Sequence, residues 1–502
     1  MKNAPGPDVL KGMRCGIEKE SLRVRPDGGL SSVPHQRALG SALTHPHITT
    51  DFSESQLELI TGVLPGAEAV LAELAQVHQV VYRAIGDELM WGSSMPCGLP
   101  GDDAIPIGQY GTSNIGRAKH VYRMGLSNRY GRRMQAISGI HYNWSLPGLG
   151  TAEYFHIIRN FRRHGWLLFY LLGASPAVCP SFVRGPNYQE HGLQELRPGT
   201  LYLPHATTLR MGRLGYQSEA QDSIQASFND LETYGAALED AMTRTWPAYE
   251  KVGVQDKSGD YMQLSTALLQ IENEFYGKIR PKRRIRSGER PLHALRERGV
   301  EYVEVRLVDL DPFSAIGITA PVCRLIDVFL LHCLLADSPP DTPDEIVAIG
   351  KNQEKVAARG REPGLKLMRG SQEVALDEWG GQLLAECAPL AEHMDLALGG
   401  TAYRDTLSAA AGALADPSLT PSARVLTAMA ERHSDSYTAF ALAQSRAHRA
   451  VFDALPLSDT AAHRFDIMAK ESLALQQRME AQDKVPFEEW RRQYLSLEKL
   501  RP

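Results

Sequence analysis

Alternating apolar and polar residues predict several strands in this chain. In "GIEKESLRV" (16–24), Glu18 and Glu20 are two residues apart and share one face of the predicted strand, because side chains alternate across it. In "EYVEVRLVDLD" (301–311), Glu304 and Arg306 fall on one face, and the valines and Leu307 fall on the other. In the second segment, one face therefore carries an acid and a base while the other is suited to a core.

Two further segments repeat this arrangement. In "TTDFSESQLELITG" (49–62), Gln56 and Glu58 share a face, and Asp51 lies just upstream at a turn. In "ISGIHYNWSLP" (137–147), His141 and Asn143 share a face. Four predicted strands thus each present a carboxylate or an imidazole from one side.

The pattern becomes helical beyond residue 320. The segment "VCRLIDVFLLHCLLADSPP" is apolar all round, as in a buried helix. The segments "SARVLTAMAERHSDSYTAFALAQSRAHRAVF" and "DIMAKESLALQQRMEAQ" have the i, i+3, i+4 spacing of amphipathic helices. This predicts an α+β fold in a single domain, 1–502, with a sheet-containing catalytic core over about 12–320 and a mainly helical part over about 321–502 packed on it.

Composition narrows the class of protein. The net charge is −5, from 54 basic and 59 acidic residues, so electrostatics give no reason to expect a nucleic acid partner. The six cysteines are scattered without a CxxC motif, which favours a reducing compartment. The N-terminus lacks the apolar segment of a signal peptide, and the most apolar run, 166–178, is too short to cross a bilayer. We therefore expect a cytoplasmic protein that does not bind membranes.

The aligned acids have two interpretations. They are either the solvated faces of half-exposed strands, which are common in antiparallel sheets, or a convergent site. Clustered carboxylates repel one another and require cations, and hard oxygen ligands with one imidazole suit Mg²⁺, or alternatively Mn²⁺, better than Zn²⁺. The sequence thus favours a divalent metal between the strands.

Basic segments lie close to these acids in the sequence. Arginines precede His141 in "HVYRMGLSNRYGRR", Arg210 lies among aromatic residues, and "YGKIRPKRRIRSGERP" (276–291) is strongly basic. Guanidinium groups bind carboxylates and phosphates well, although such a charged run is often simply solvated. The segment "GTSNIGRA" (111–118) lacks the Lys-Ser/Thr of a phosphate-binding loop, and there is no GxGxxG or GxSxG motif.

Nine segments together resemble the glutamate–cysteine ligase family of proteobacterial type. They match in order and at comparable spacing, strongly from about residue 12 to about 318 and more loosely beyond: "GIEKESLRV", "LGSALTHPHITTDFSESQLELITG", "GSSMPCGLP", "GQYGTSNIGRAKHVYRMGLSNRYG", "QAISGIHYNWSLP", "SFVRG", "YLPHATTLRMGRLGY", "LQIENEFYGKIRPKR" and "GVEYVEVRLVDLDPFSAIG". The resemblance implies a glutamine-synthetase-like fold, in which an antiparallel sheet forms a funnel lined by metal-binding acids. It also implies ATP-dependent ligation of the γ-carboxylate of L-glutamate to the amine of L-cysteine through γ-glutamyl phosphate, the first step of glutathione synthesis.

The same resemblance implies roles for individual residues. Arg306, Glu304 and Arg210 are implied to be catalytic, and Arg210 and Arg306 to bind the substrates' carboxylates or phosphates. The implied metal ligands are Glu18, Glu20, Asp51, Glu58, His141 and Glu304. The implied cysteine pocket comprises Phe52, Tyr122, Leu126, Gln135, Tyr216 and Tyr276. Contacts to the phosphates of ATP are expected from Arg123, Lys282 and Arg283.

Three other functions remain open at this point. One is a glutamate ligase of the same fold that uses a different amine, the second is a non-catalytic metal or nucleotide sensor, and the third is a metal-dependent hydrolase. The lack of a His-rich ligand set weakens the hydrolase hypothesis. We expect a monomer whose partners are small molecules, namely glutamate, cysteine and ATP.

Overall fold

The computed structural model describes residues 4–183, 192–215, 218–224, 226–286 and 288–502. The strands are β1 (Arg14–Val24), β2 (Ile48–Thr50), β3 (Gln56–Ile60), β4 (Leu89–Met90), β5 (Ile140–Ser145), β6 (Ala177–Val178), β7 (Gln194–Arg197), β8 (Thr200–Tyr202), β9 (Ile279–Lys282), β10 (Tyr302–Val308), β11 (Lys366–Arg369) and β12 (Gln372–Ala375). All four segments with charged faces form strands, as the sequence predicts.

The helices of the first part are α1 (Pro7–Lys11), α2 (Gly66–Ala84), α3 (Asn114–Tyr130), α4 (Arg132–Gln135), α5 (Thr151–His164), α6 (Trp166–Leu172), α7 (Pro180–Val183), α8 (Glu219–Asp222), α9 (Leu231–Thr243), α10 (Pro247–Val252) and α11 (Pro291–Arg298). Those of the last part are α12 (Ala320–Leu335), α13 (Pro343–Arg359), α14 (Leu376–Leu398), α15 (Ala402–Ala415), α16 (Pro421–His433), α17 (Tyr437–Ala454), α18 (Asp459–Gln482) and α19 (Phe487–Leu495).

The principal sheet is antiparallel throughout, in the order β2-β3-β1-β5-β10-β9, and β4 pairs with the end of β1. The register places Glu20 opposite Glu58 and Glu18 opposite His141. Glu304 lies opposite Asn143 on one side and opposite Arg280 on the other. Since directly opposed residues share a face, these side chains all project from the same side of the sheet. We call this side the open face.

The reverse face of the sheet is packed into the main core. Ile17, Leu57, Tyr142 and Val305 are all fully buried there. The helix α2 packs on β1 and β3, and α6 packs on β10. One continuous apolar cluster contains these residues together with side chains from Leu10 to Leu500. The cluster thus joins the sheet and the C-terminal helices, and the single domain stays a prediction.

The helical prediction for the last part holds, with two differences. The segment predicted as amphipathic over 422–452 forms two helices, α16 and α17, because Ser434 and Asp435 adopt positive φ values of 49° and 61° between them. In addition, the hairpin β11–β12 interrupts the helices. The helix α12 is buried, as its apolar sequence predicts.

Candidate active site

The open face of the sheet forms one wall of a cavity of about 500 Å³. Ligand atoms of Glu18, Glu58 and His141 all lie within 4.8 Å of one another, close enough to coordinate one ion. The Nε2 atom of His141 lies 3.5 Å from Oε1 of Glu20, and Asp51 lines the cavity beside them. Carboxylate oxygens with one imidazole are a donor set that fits Mg²⁺ or Mn²⁺.

Without a bound cation, protonation of some of these acids and hydrogen bonds to others would offset their mutual repulsion. Burial, together with the Glu18, Asp51 and Glu20 carboxylates, raises the pKa of Glu58 well above its usual range. Burial and the Asp51 carboxylate raise the pKa of Glu20 to about 8. A bound cation would lower both pKa values again and displace these protons, so the cluster is suited to exchange protons for a metal.

Glu18 and Glu304 differ from the other acids because they have compensating partners. Burial by itself would raise the pKa of Glu18, but the hydrogen bond with His141, at 3.2 Å, holds it below its ordinary value. Burial opposes ionisation of Glu304 too, yet Lys282 at 3.0 Å and Arg306 at 2.9 Å hold its pKa well below the usual range. The structure therefore places an ion-paired carboxylate beside the metal-suited cluster.

The opposite wall of the cavity is one face of α3. Ile115, Ala118, Lys119, Tyr122, Arg123 and Leu126 recur at helical spacing and all line the cavity. Phe52 and Leu126 pack in a small apolar cluster with Tyr122 at its edge. Nε2 of Gln135 donates a hydrogen bond of 2.9 Å to the Tyr276 hydroxyl. Five of the six residues expected to bind cysteine thus lie along one cavity, whereas Tyr216 lies outside the described residues.

Two of the predicted anion-binding residues lie elsewhere. Arg210 is 2% exposed, donates hydrogen bonds to the Arg306 and Val308 carbonyl oxygens and lies 3.8 Å from Asp309, and its charge also opposes the rise in the pKa of Glu20 that burial causes. The Arg283 guanidinium donates to the Arg298 and Gly299 carbonyl oxygens. Neither lines the cavity. A direct contact from either residue to substrate remains a prediction that this geometry does not favour.

The other predicted cations line the cavity but are held by protein groups. Lys282 and Arg306 both pair with Glu304. Arg123 donates to the carbonyl oxygens of Asp51 and Lys119, and its guanidinium carbon lies 4.5 Å from the centre of the Tyr110 ring. Binding of a phosphate by any of these groups would require it to exchange its present protein partner.

Sequence reasoning missed several lining residues. Lys119 and Arg280 line the cavity and lie within three residues of Tyr122 and Lys282, which the sequence predicts as site residues. The helical spacing of α3 is the signal that could have selected Lys119. Met479 and Tyr494 come from α18 and α19, far away in sequence. These two helices are held over the cavity by long-range contacts, including the Asn114 side chain to the Val485 carbonyl oxygen at 2.9 Å and Arg290 to the Tyr494 carbonyl oxygen at 2.9 Å. No local pattern indicates such contacts.

An antiparallel sheet whose acid-lined face opens into a cavity with a basic rim is suited to an enzyme that binds anionic substrates with a divalent metal. The model of the family "glutamate-cysteine ligase" matches residues 1–356. The chain belongs to the glutamate–cysteine ligase family.

Relatives and solved structures agree with this assignment. The chain is 47% identical to the glutamate–cysteine ligase of Pseudomonas entomophila over 499 residues, covering 96% of this chain and 93% of the relative. It is also 47% identical to that of Azotobacter vinelandii over 503 residues, covering 96% and 94%. The crystal structure of the Francisella tularensis glutamate–cysteine ligase in complex with AMP superposes with a TM-score of 0.91 at 35% identity, covering 96% of this chain and 97% of that one. The glutamine-synthetase-like fold predicted from the sequence is thereby confirmed.

One further property concerns membranes. Within the described ranges, no helix combines the length and the apolar character needed to span a bilayer.

Proposed function

We propose that the open face of the sheet and the α3 wall form the active site of an ATP-dependent ligase, and that their side chains have the roles set out below. The protein is a glutamate–cysteine ligase, which uses ATP to join L-glutamate to L-cysteine and so produces γ-glutamylcysteine. The observation that carries the assignment of the site is the convergence of Glu18, Glu58 and His141 within 4.8 Å in the same cavity as the α3 wall.

The proposed metal ligands are Glu18, Glu20, Asp51, Glu58, His141 and Glu304. The donor set supports Mg²⁺, with Mn²⁺ as the alternative, because it consists of hard oxygens and one imidazole. When bound, the metal would neutralise phosphate oxygens and so lower the barrier to bringing two anions together. Glu18 is oriented for this role by Asn143, whose Nδ2 donates to its Oε1 at 3.0 Å.

Formation of the amide requires an activated carboxylate. In the first step, a γ-carboxylate oxygen of glutamate attacks the γ-phosphorus of ATP, and ADP leaves, giving γ-glutamyl phosphate. In the second step, the cysteine nitrogen attacks the acyl carbon, inorganic phosphate leaves and the amine loses a proton. Lys282 and Arg306, which pair with Glu304, are the proposed cations for the phosphoryl oxygens on which negative charge builds up.

The part of the cavity lined by the residues expected to bind cysteine selects the amine substrate. Phe52, Tyr122 and Leu126 give it an apolar wall, and the Gln135–Tyr276 hydrogen bond closes its polar side. A thiol is small and weakly polar, so an apolar wall with one polar edge is suited to the cysteine side chain. Arg123, with Lys282, is the proposed contact to ATP phosphates on the rim.

We further propose a monomer that works in the cytoplasm. The six cysteines are all buried free thiols, as a reducing compartment allows. The described residues of a single chain surround the cavity, so the site needs no second subunit to supply a wall. Sedimentation velocity would test the oligomeric state, and a stable dimer would overturn that part of the proposal.

Phosphate release from ATP tests the whole assignment. We expect release only when glutamate, a divalent metal and an amine are all present, with a much higher kcat/KM for cysteine than for 2-aminobutyrate. Equal use of the two amines would favour a ligase with another amine substrate. Binding of ATP without phosphate release would contradict a ligase and favour a nucleotide sensor.

A further inference from the structure

One cation of the cavity has a different environment from the others. Lys119 lies on the cavity face of α3, and no hydrogen bond or ion pair engages its ammonium group among the described residues. Its nearest partner is the Tyr110 ring, whose centre lies 5.3 Å from Nζ. By contrast, Lys282 and Arg306 pair with Glu304, and Arg123 and Arg280 donate to carbonyl oxygens.

The surroundings lower the pKa of this ammonium group but leave it above neutrality. Burial and the nearby Arg123 guanidinium lower the pKa of Lys119 to about 8, while Glu58 and Asp51 act in the opposite direction. Lys119 is therefore mostly protonated at neutral pH. The two carboxylates nearest to it are proposed metal ligands, and once they hold a metal they no longer compensate a second cation. A half-buried ammonium in this position then either loses its proton or stays charged by binding an anion from the substrates.

The location indicates which anion. Lys119 lies one helical turn before Tyr122 and two turns before Leu126, so all three share one face of α3. Tyr122 and Leu126 line the pocket proposed for cysteine, together with Phe52. The amine substrate carries an α-carboxylate close to the nitrogen that reacts, and the described residues of this pocket offer no other cation free of protein partners.

We infer that the ammonium group of Lys119 binds the α-carboxylate of cysteine and thereby selects an amino acid over a simple amine. The inference rests on the proposed function and deepens it. A charge-assisted contact to a carboxylate is short and strong, and it would fix the direction in which the cysteine nitrogen points. Lys119 would thus act in specificity as well as in binding.

The test compares cysteine with cysteamine, which has the same thiol and amine but no carboxylate. In Lys119→Met, we expect kcat/KM for cysteine to fall by about 10- to 100-fold, the range for one lost hydrogen bond between charged groups. For cysteamine, we expect kcat/KM to change by less than about threefold, because that substrate has no carboxylate for Lys119 to bind. Lys119→Arg keeps the charge, and we expect it to restore much of the preference for cysteine.

A matched control is available on the same helix. Arg117 is exposed on the outer side of α3, with its guanidinium carbon 4.3 Å from the centre of the Phe487 ring, so Arg117→Met removes the same charge away from the cavity. We expect this variant to keep the wild-type ratio of cysteine to cysteamine. Thermal melting of all three variants reports whether α3 is still folded.

Several outcomes would overturn the inference. Equal losses with cysteine and cysteamine would make Lys119 structural. If Lys119→Met lowers kcat/KM for glutamate but not for γ-aminobutyrate, which lacks the α-carboxylate, Lys119 binds the α-carboxylate of glutamate instead. If the variant raises only KM for ATP, Lys119 binds a phosphate. If the wild-type enzyme ligates cysteine and Lys119→Met still prefers cysteine to cysteamine, the inference about Lys119 is wrong but the proposed function stands. If the wild type ligates no amine, the proposed function fails as well.

Discussion

Glu304 illustrates, at the scale of single residues, how charge is arranged in the cavity. It is 1% exposed and is held between Lys282 and Arg306, while its strand neighbours on the reverse face are packed in the core. A buried carboxylate stays ionised only when cations surround it, so the residue contributes a fixed negative charge to a site that must also hold phosphates. Its charge, rather than its volume, is what the site requires.

Replacing Glu304 with Gln tests this argument. We expect Glu304→Gln to lower phosphate release at least 100-fold, because Lys282 and Arg306 lose their shared carboxylate and the proposed metal loses a ligand. The fold should persist, since the volume is unchanged. The assay is ATP-dependent phosphate release with glutamate and cysteine, accompanied by thermal melting.

Glu301 supplies the control for this variant. It lies just before β10 and pairs with Arg284, which is 82% exposed, so Glu301→Gln removes a carboxylate at the surface. Surface pairs contribute about 0–1 kcal/mol, and we expect near wild-type turnover. If Glu304→Gln behaved like Glu301→Gln, the role of Glu304 as a metal ligand would be wrong.

The helix α3 carries much of the site at the scale of secondary-structure elements. It begins at Asn114 with Ser113 as its N-cap, and its side chains at helical spacing form the cavity wall opposite the sheet. Its close approach to the 261–275 segment depends on Gly125. A Cβ at Gly125 would lie 2.1 Å from Oε1 of Gln270, a side chain that is itself held by Leu264 N and the Tyr122 carbonyl oxygen.

We therefore expect Gly125→Ala to displace α3 and to weaken cysteine binding. Overpacking of this kind costs about 1–3 kcal/mol, so the melting temperature should fall and KM for cysteine should rise. Gly350 in α13 is a matched helical glycine with open space around its position, and Gly350→Ala should leave stability unchanged or raise it by up to about 1 kcal/mol. Similar melting temperatures for the two variants would contradict the close packing inferred at Gly125.

Asp327 links the helix α12 to the reverse face of the sheet. Its Oδ1 accepts a hydrogen bond from the Tyr142 hydroxyl at 2.8 Å, and it is fully buried. Burial raises the pKa of Asp327 from 3.8 to about 7. Between these values the folded state keeps a proton that the unfolded state has lost, so this group makes the protein less stable as the pH rises, by up to about 4 kcal/mol.

Asp327→Asn removes this dependence because asparagine does not titrate. We expect the melting temperature of the variant, relative to wild type, to rise between pH 5 and pH 8, and scanning calorimetry at both pH values measures it. Asp337→Asn in the exposed loop after α12 is the control and should show the same difference at both pH values. A constant difference for Asp327→Asn would mean that Asp327 does not titrate in this range.

Ligand binding couples the parts of the site at the scale of the whole molecule. The cavity is lined by strands, by α3 and by the C-terminal helices α18 and α19, so a ligand held there contacts elements from both ends of the chain. A ligand that binds only the folded state stabilises it by about 2.7 kcal/mol at one hundred times its Kd. The largest effect should come from ATP and metal together, because a cation offsets the repulsion among the acids and between the acids and the phosphates of ATP.

We expect Mg²⁺ with ATP to raise the melting temperature by several degrees, whereas ATP with EDTA should raise it little. EDTA should also abolish phosphate release, and excess Mg²⁺ should restore it. Glu58→Gln is a useful comparison, since it removes a proposed ligand and should reduce the combined shift. Full stabilisation by ATP in EDTA would contradict a metal held by the open face.

Local patterns along the chain determined much of this protein. Strand alternation has a period of two and depends only on neighbours in sequence, so Glu18, Glu20, Glu58, His141 and Glu304 could be assigned to charged faces directly. Charge repulsion among them then indicated a metal, and the ordered motifs indicated the family. The helical C-terminal part followed equally from the 3.6-residue period.

Only the tertiary structure decided which of the charged groups meet. It engaged Arg210 and Arg283 with carbonyl oxygens rather than in the cavity lining, and it brought Met479 and Tyr494 over the site from the far end of the chain. Among the residues that the structure describes, it also left Lys119 facing the cavity without a carboxylate partner. Periodicity fixes the face on which a side chain lies, but the partner across a cavity depends on packing between distant elements, and no local pattern carries that information.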